Sequence, residues 1–129
     1  MRDIIQEIQA FPDYIGAAGC DIKVIETAEK KLKLRFAEDY RRYLQIIGLA
    51  MFGGHELTGI TTSSRLNVVN VTEREREKNS IVPAYLYVVE EANMDGIIVW
   101  QDERGQIYFS QPNCVPVLKY GSLAEYLCI

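Results

Sequence analysis

Histidine is all but missing from this chain. His55 is the only one among 129 residues, so no second imidazole stands ready to complete a metal site or a catalytic pair. Cysteine is scarce too. Cys20, Cys114 and Cys128 are odd in number and widely spaced, which argues against a disulfide framework and for a reducing, cytoplasmic setting. Their spacing also lacks the pairing of zinc ligands. No apolar run approaches the roughly 20 residues of a membrane helix, and acidic and amide residues interrupt the N-terminal MRDIIQEIQAF, so it does not read as a signal peptide. An excess of positive charge is absent. The net charge is -4 with acids and bases interspersed, and no basic cluster stands out, so nothing offers a sequence-independent grip on nucleic acid.

What is present is an ordinary globular composition, 48% hydrophobic and 25% charged, in a chain long enough to bury its own core. Ile4, Ile5, Ile8 and Phe11 recur at helical spacing. Asp3 and Gln6 resemble a capping box before them. Asp21 is a good N-cap for a second helix whose inner face carries Ile25, Ala28 and Leu32, with Lys30, Lys31 and Lys33 in solvent. Phe36, Tyr40, Tyr43, Leu44 and Ile47 mark a third helix, with Glu38 and Asp39 in its first turn and Gly48 just past its end. NVTEREREKNS predicts a short exposed helix capped by Asn70.

From Ile81 the pattern turns to β. AYLYVVE is aromatic and β-branched, and GIIVW is apolar throughout, as in a strand covered on both faces. QDERGQ predicts a turn into IYFS, with Ile107 and Phe109 on one side. Pro112 and Pro116 confine the next extended piece to an edge or loop, an edge open to pairing with a copy of the chain. Ser122 then caps a closing helix with Leu123, Leu127 and Tyr126 inward. The order of helices, antiparallel strands and a last helix predicts an α+β fold, N-terminal helices packed on a mainly antiparallel sheet.

The stretch MFGGHELTGI has the glycine content of a phosphate loop, but its glycines follow a helix and precede a strand, the reverse of what a P-loop or dinucleotide fold needs. It is read as a helix-to-strand link in which Gly53 and Gly54 take positive φ, with His55 a turn residue. Ser63, Ser64 and Ser80 lie in loops without a nucleophile elbow. No catalytic, metal or cofactor site is expected.

The run from Ile25 to Ile60 resembles the first half of the SUKH superfamily. The matching pieces are IETAEKKLKL, FAEDYRRYL and GLAMFGGHELTG. Asp39, Tyr40, Arg41, Tyr43 and Leu44 fall on that superfamily's core helix motif, and Gly48, Gly53, Gly54 and Gly59 on its turn and strand glycines. MDGIIVWQDERGQIYF and GSLAEYL resemble its later hairpin and closing helix. Phe36–Ala37 stands where the pattern has Leu-Pro, a change alanine tolerates at a helix start. The resemblance implies one SUKH-like domain over residues 1–129 and a binding protein rather than an enzyme. The superfamily includes bacterial immunity proteins and fungal regulators of cell-wall synthesis. The expected job is therefore neutralisation of a cognate protein toxin, with a regulatory adaptor as the alternative, acting as monomer or homodimer.

The expected contact residues are acids and aromatics of the sheet half: Tyr85, Tyr87, Glu90, Glu91, Asp95, Asp102 and Glu103. Strand alternation puts Tyr85 and Tyr87 on one face, offered to a partner if the other packs on helices. A hairpin's two loops lie at opposite ends, so Asp95 is expected far from Asp102 and Glu103, and these acids do not form one catalytic pair.

Overall fold

The computed structural model describes residues 3–92 and 94–129, so Met1 and Arg2 of the N-terminal stretch lie outside it. The helical part opens with α1 (Ile4–Gln9), capped by Asp3 through the Ile5 N–H. A short strand β1 (Ile15–Gly16) leads to α2 (Ile22–Leu32), capped by Asp21 through the Lys23 N–H at 2.8 Å. Then comes α3 (Glu38–Ile46), whose N-cap Ala37 supplies no side-chain oxygen. Gly48, at φ 81°, takes the chain out of α3.

The chain then forms β2 (Ala50–Phe52) and β3 (His55–Glu56), α4 (Val68–Lys78), four strands β4 (Tyr87–Glu91), β5 (Ile98–Gln101), β6 (Ile107–Ser110) and β7 (Val117–Tyr120), and α5 (Leu123–Leu127). The sheets are antiparallel, ordered β1-β2-β3 and β4-β5-β6-β7. A bridge between Leu57 and Glu90 and a 2.9 Å bond from Thr58 N–H to Val89 O join them at the β4 edge. That leaves β7 as the outer strand of the larger sheet, all its side chains exposed. The prolines forecast this edge position. The fold is α+β, as the element order predicts. No described helix is long and apolar enough to cross a membrane.

Both faces of β5 are covered, as its unbroken apolar run predicts. Val99 joins Tyr87, Val89 and Ile107 in the main core with α2 and α3, while Trp100 joins Val71, Val82, Leu86 and Val88 under α4. Helix α4 therefore differs from expectation in two ways. It begins earlier, with Asn67 rather than Asn70 as cap, the Asn67 side chain accepting from Val69 N–H at 3.0 Å. It is also not merely a solvated face, because Val68, Val71, Thr72 and Glu75 are buried. The charge alternation of TEREREK masks an apolar stripe that starts upstream in Val68 and Val71.

The main core is tyrosine-rich. Tyr40, Tyr43 and Tyr87 are fully buried. Phe36 meets Tyr87 and Tyr40 edge-on, at centroid distances of 4.8 and 5.2 Å, geometry in which each pair adds about 0.5–1.5 kcal/mol beyond area burial. Tyr87 also completes the uncapped start of α3: its hydroxyl accepts the Ala37 N–H at 2.9 Å and donates to Gln101 Oε1. Gln101 Nε2 passes the chain on to Asp39 Oδ1 at 3.1 Å and to Gly105 O at 3.1 Å. Asp39 Oδ2 in turn accepts the Leu123 N–H of α5 at 3.3 Å.

Tyr87→Phe keeps the ring and strips the junction, leaving the Ala37 N–H and Gln101 Oε1 unpaired in the core. Urea denaturation is expected to register a loss of about 2–4 kcal/mol. Alkali acts on the same core. Burial pushes the phenols of Tyr40, Tyr43 and Tyr87 well above the ordinary value of 10.0. The folded state then holds these protons more tightly than the unfolded chain, so their stabilisation is complete below pH 10 and drains as pH rises past it. In an alkaline titration followed by tyrosinate absorbance, these phenols should ionise only within the unfolding transition, after the exposed tyrosines.

Candidate partner-binding surface

The fold divides the expected contact residues into buried and exposed sets. Tyr85 lies in the turn before β4 and is 57% exposed, whereas Tyr87 opens the strand and is 0% exposed. The expectation that they share one face is corrected, because strand alternation begins only at Tyr87. Glu90 is also buried. Its carboxylate accepts from the Glu56 N–H at 2.7 Å, the Tyr126 hydroxyl and His55 Nδ1, the last at 2.9 Å. Asp102 is buried as well. It accepts from Arg104 N–H at 3.0 Å, Gln106 N–H at 2.9 Å and Tyr108 OH at 3.0 Å. The exposure expected of Tyr87, Glu90 and Asp102 is thus not found. Each sits inside because donors or acceptors of the fold satisfy it there. Glu91 is half-buried and paired with Arg74 at 3.3 Å. Asp95 and Glu103 are exposed.

Antiparallel pairing sorts these residues by end. The β4–β5 connection carries Asp95 and the β5–β6 turn carries Asp102 and Glu103, so Asp95 stands apart from the other acids, as the hairpin logic predicts. Tyr87 pairs with Gln101, which sets Tyr85 beside the β5–β6 turn. There Tyr85, Asp102, Glu103, Arg104, Gln106 and Tyr108 line a shallow groove of about 400 Å³.

The groove has a rigid floor. Asp102 N–H bonds to Gln106 O at 3.1 Å and Gly105 N–H to Asp102 O at 3.0 Å, while Gly105 takes φ 94°, a conformation open to glycine. The Asp102 side chain adds its bonds inside the same turn. Burial first, and then the hydrogen bond to the Asp102 carboxylate, push the Tyr108 phenol up to about 12, so it stays a neutral donor. Around this floor the Tyr85 ring and the Glu103 carboxylate stand in solvent. Arg104, Gln106 and Tyr108 were missed in the sequence. Their signal was the alternation after the turn, which puts Gln106 and Tyr108 on the face of the strand opposite Ile107.

His55 is a structural residue. Its ring packs against Phe52 at 5.6 Å and Tyr126 at 5.5 Å, and Nδ1 is engaged by Glu90. It ties β3 to β4 and α5. Nothing in the sequence spacing marks a pair separated by 35 positions. The stretch MFGGHELTGI is itself a hairpin rather than a helix-to-strand link. Phe52 pairs with His55, and Gly53 and Gly54 form the turn at φ 52° and 81°. Positive φ at both central positions is the geometry of tight hairpins that follow sheet twist, and glycine adopts it without strain.

The division into frame and contact surface is testable by stability alone. Tyr85→Ala and Glu103→Lys are expected to shift unfolding free energy by no more than about 0.5 kcal/mol, the range of exposed substitutions. Asp102→Ala removes three acceptor contacts from one turn and is expected to cost about 1–3 kcal/mol. Chemical denaturation of the three variants checks both.

No curated protein matches the chain. Among protein families, SUKH_5, described as SMI1-KNR4 cell-wall, matches residues 1–128. The match takes in the helices, the joined sheets and the groove, and agrees with the resemblance carried by the core helix and the glycine turns; the chain belongs to the SUKH family of SMI1-KNR4 proteins.

Proposed function

We propose that the protein is a non-enzymatic immunity protein: one cytoplasmic SUKH-like domain that binds a cognate protein toxin and neutralises it. Family membership over residues 1–128 is the observation that carries this reading. The groove beside the β5–β6 turn supports it with a physical means. Interfaces draw their energy from a few aromatic and charged anchors on a preorganised frame. Here Tyr85 and Glu103 stand exposed over a turn held by Asp102, with Asp95 and Glu91 supplying further acid at the other end of the strands. Steric cover of the toxin's active site by this surface is the proposed mechanism. The net charge of -4 suits a basic toxin such as a nuclease, and speeds the encounter more than it deepens the affinity.

A regulatory adaptor is the second reading, favoured by the cell-wall description of the matching family. The two are separated by co-expressing the chain with the product of the reading frame beside its gene. Rescue of growth together with co-purification is the outcome expected of an immunity protein. Tyr85→Ala with Glu103→Lys is then expected to weaken the complex by at least about tenfold, and added salt to slow association. A neighbouring product that is harmless, or that kills despite the chain, rules out the immunity reading. An unchanged affinity in the double variant rules out the groove while leaving immunity standing.

A further inference from the structure

We infer that the groove at the C-terminal end of α2 is a second docking site, one that takes an acidic, extended segment of a protein partner. It rests on observations separate from the Tyr85 groove and stands whichever reading of the function holds. Along the sequence Lys30, Lys31, Lys33 and Arg35 fall within six positions, a cluster that the acidic balance of the whole chain conceals, and Arg41 arrives from the next helix. In the fold, Lys30, Lys33 and Arg35 meet Arg41 of α3 around an open groove of about 430 Å³. In a chain of net charge -4, this is a local concentration of the opposite sign.

Three of these four cations are not spent internally. Among the described residues Lys30, Lys33 and Arg35 form no ion pair. Arg41 forms a loose ion pair with Glu29, Nε to Oε2 at 3.8 Å, a separation too long for a hydrogen bond. That oxygen already accepts the Phe36 N–H at 2.9 Å. Arg41 Nε is left buried without an acceptor, and the 29% exposed side chain lines the groove with no described hydrogen bond from its guanidinium. The carbonyl end of α2 accounts for Lys30 as a dipole partner. It does not account for Arg35 or Arg41, which lie outside that helix.

The groove's chemistry selects the ligand. Glu26 and Glu29 share its lining, and the C-terminal end of the α2 dipole adds partial negative charge, so a compact polyanion seated at the centre is repelled. No backbone cradle offsets this. The N–H groups of Lys33 and Leu34 are already bonded to Lys30 O at 3.2 Å and Glu29 O at 3.1 Å, whereas phosphate sites use free N–H groups of this kind. Carboxylates spaced along an extended chain reach the outlying cations one at a time. Half-buried Leu34, between them in the lining, offers an apolar contact to the residue that separates the acids.

The test is fluorescence anisotropy on the full chain with a labelled peptide of alternating glutamate and leucine. A lysine–leucine peptide and inorganic phosphate serve as comparisons. The glutamate peptide is expected to bind in a salt-sensitive manner, and the lysine peptide not to bind. Lys33→Glu with Arg35→Glu should weaken binding by at least about tenfold without moving the thermal midpoint, while Lys119→Glu on β7 leaves affinity unchanged. If the double variant unfolds, Arg35→Gln alone should still weaken binding. Failure of the glutamate peptide to bind, equal affinity in the charge-reversed variant, an equal loss in Lys119→Glu, or displacement of the peptide by an equal concentration of phosphate overturns the inference.

Discussion

The buried hydrogen-bond chain through Tyr87, Gln101 and Asp39 is the constraint on which the rest of the structure depends. It begins at the Ala37 N–H, where α3 lacks a capping side chain, and ends at the Leu123 N–H, where α5 begins. Between them it crosses β4, β5 and the β5–β6 turn through a tyrosine and a glutamine that are both fully buried. Polar groups in such a place cost several kcal/mol if unpaired and bond strongly if paired. Burial pushes the Asp39 carboxyl up, opposed by the bonds it accepts from Leu123 and Gln101. The helices are therefore fixed on the sheet by directional bonds as well as by apolar area.

A second polar junction does the same further along β4. Glu90 gathers His55, the Glu56 N–H and Tyr126, joining the β2–β3 hairpin, β4 and α5. Between the two junctions the strands have little freedom, and the turn that carries Glu103 inherits that rigidity from Asp102. Preorganisation of this kind lowers the entropy lost when a surface meets a partner. The same acidic side-chain chemistry thus serves opposite ends: Glu90 and Asp102 hold the frame, Glu103 and Asp95 meet solvent.

The sequence and the fold agree best where a single period settles the matter. Ile25, Ala28 and Leu32 on α2, or Tyr40, Tyr43 and Leu44 on α3, have one way to face a core, and they do. The continuous apolar run of β5 foretold burial on both faces, and the prolines foretold the edge at β7. Where residues of mixed character stood in a row, the pattern misled. TEREREK reads as solvated, yet α4 starts upstream and buries Val68 and Val71. The glycines of MFGGHELTGI were rightly assigned positive φ but set in the wrong element, since strands as short as β2 and β3 carry too few residues to show alternation.

Charge was the least legible property. A carboxylate on a strand or turn looks the same in sequence whether it meets water or three donors, and only the fold brought Tyr126 and His55 to Glu90. The basic groove arose likewise, because Arg41 reaches Lys33 and Arg35 only when α3 folds back beside α2. The sequence by itself determined α1, α2, α3 and α5, the β5–β6 hairpin and the family, since these follow from local periodicity and turn chemistry repeated along the chain. Only the tertiary structure decided which acids and tyrosines are frame and which are surface. Burial of Tyr87 and Glu90 is set by partners distant in sequence, and no local pattern carries that information.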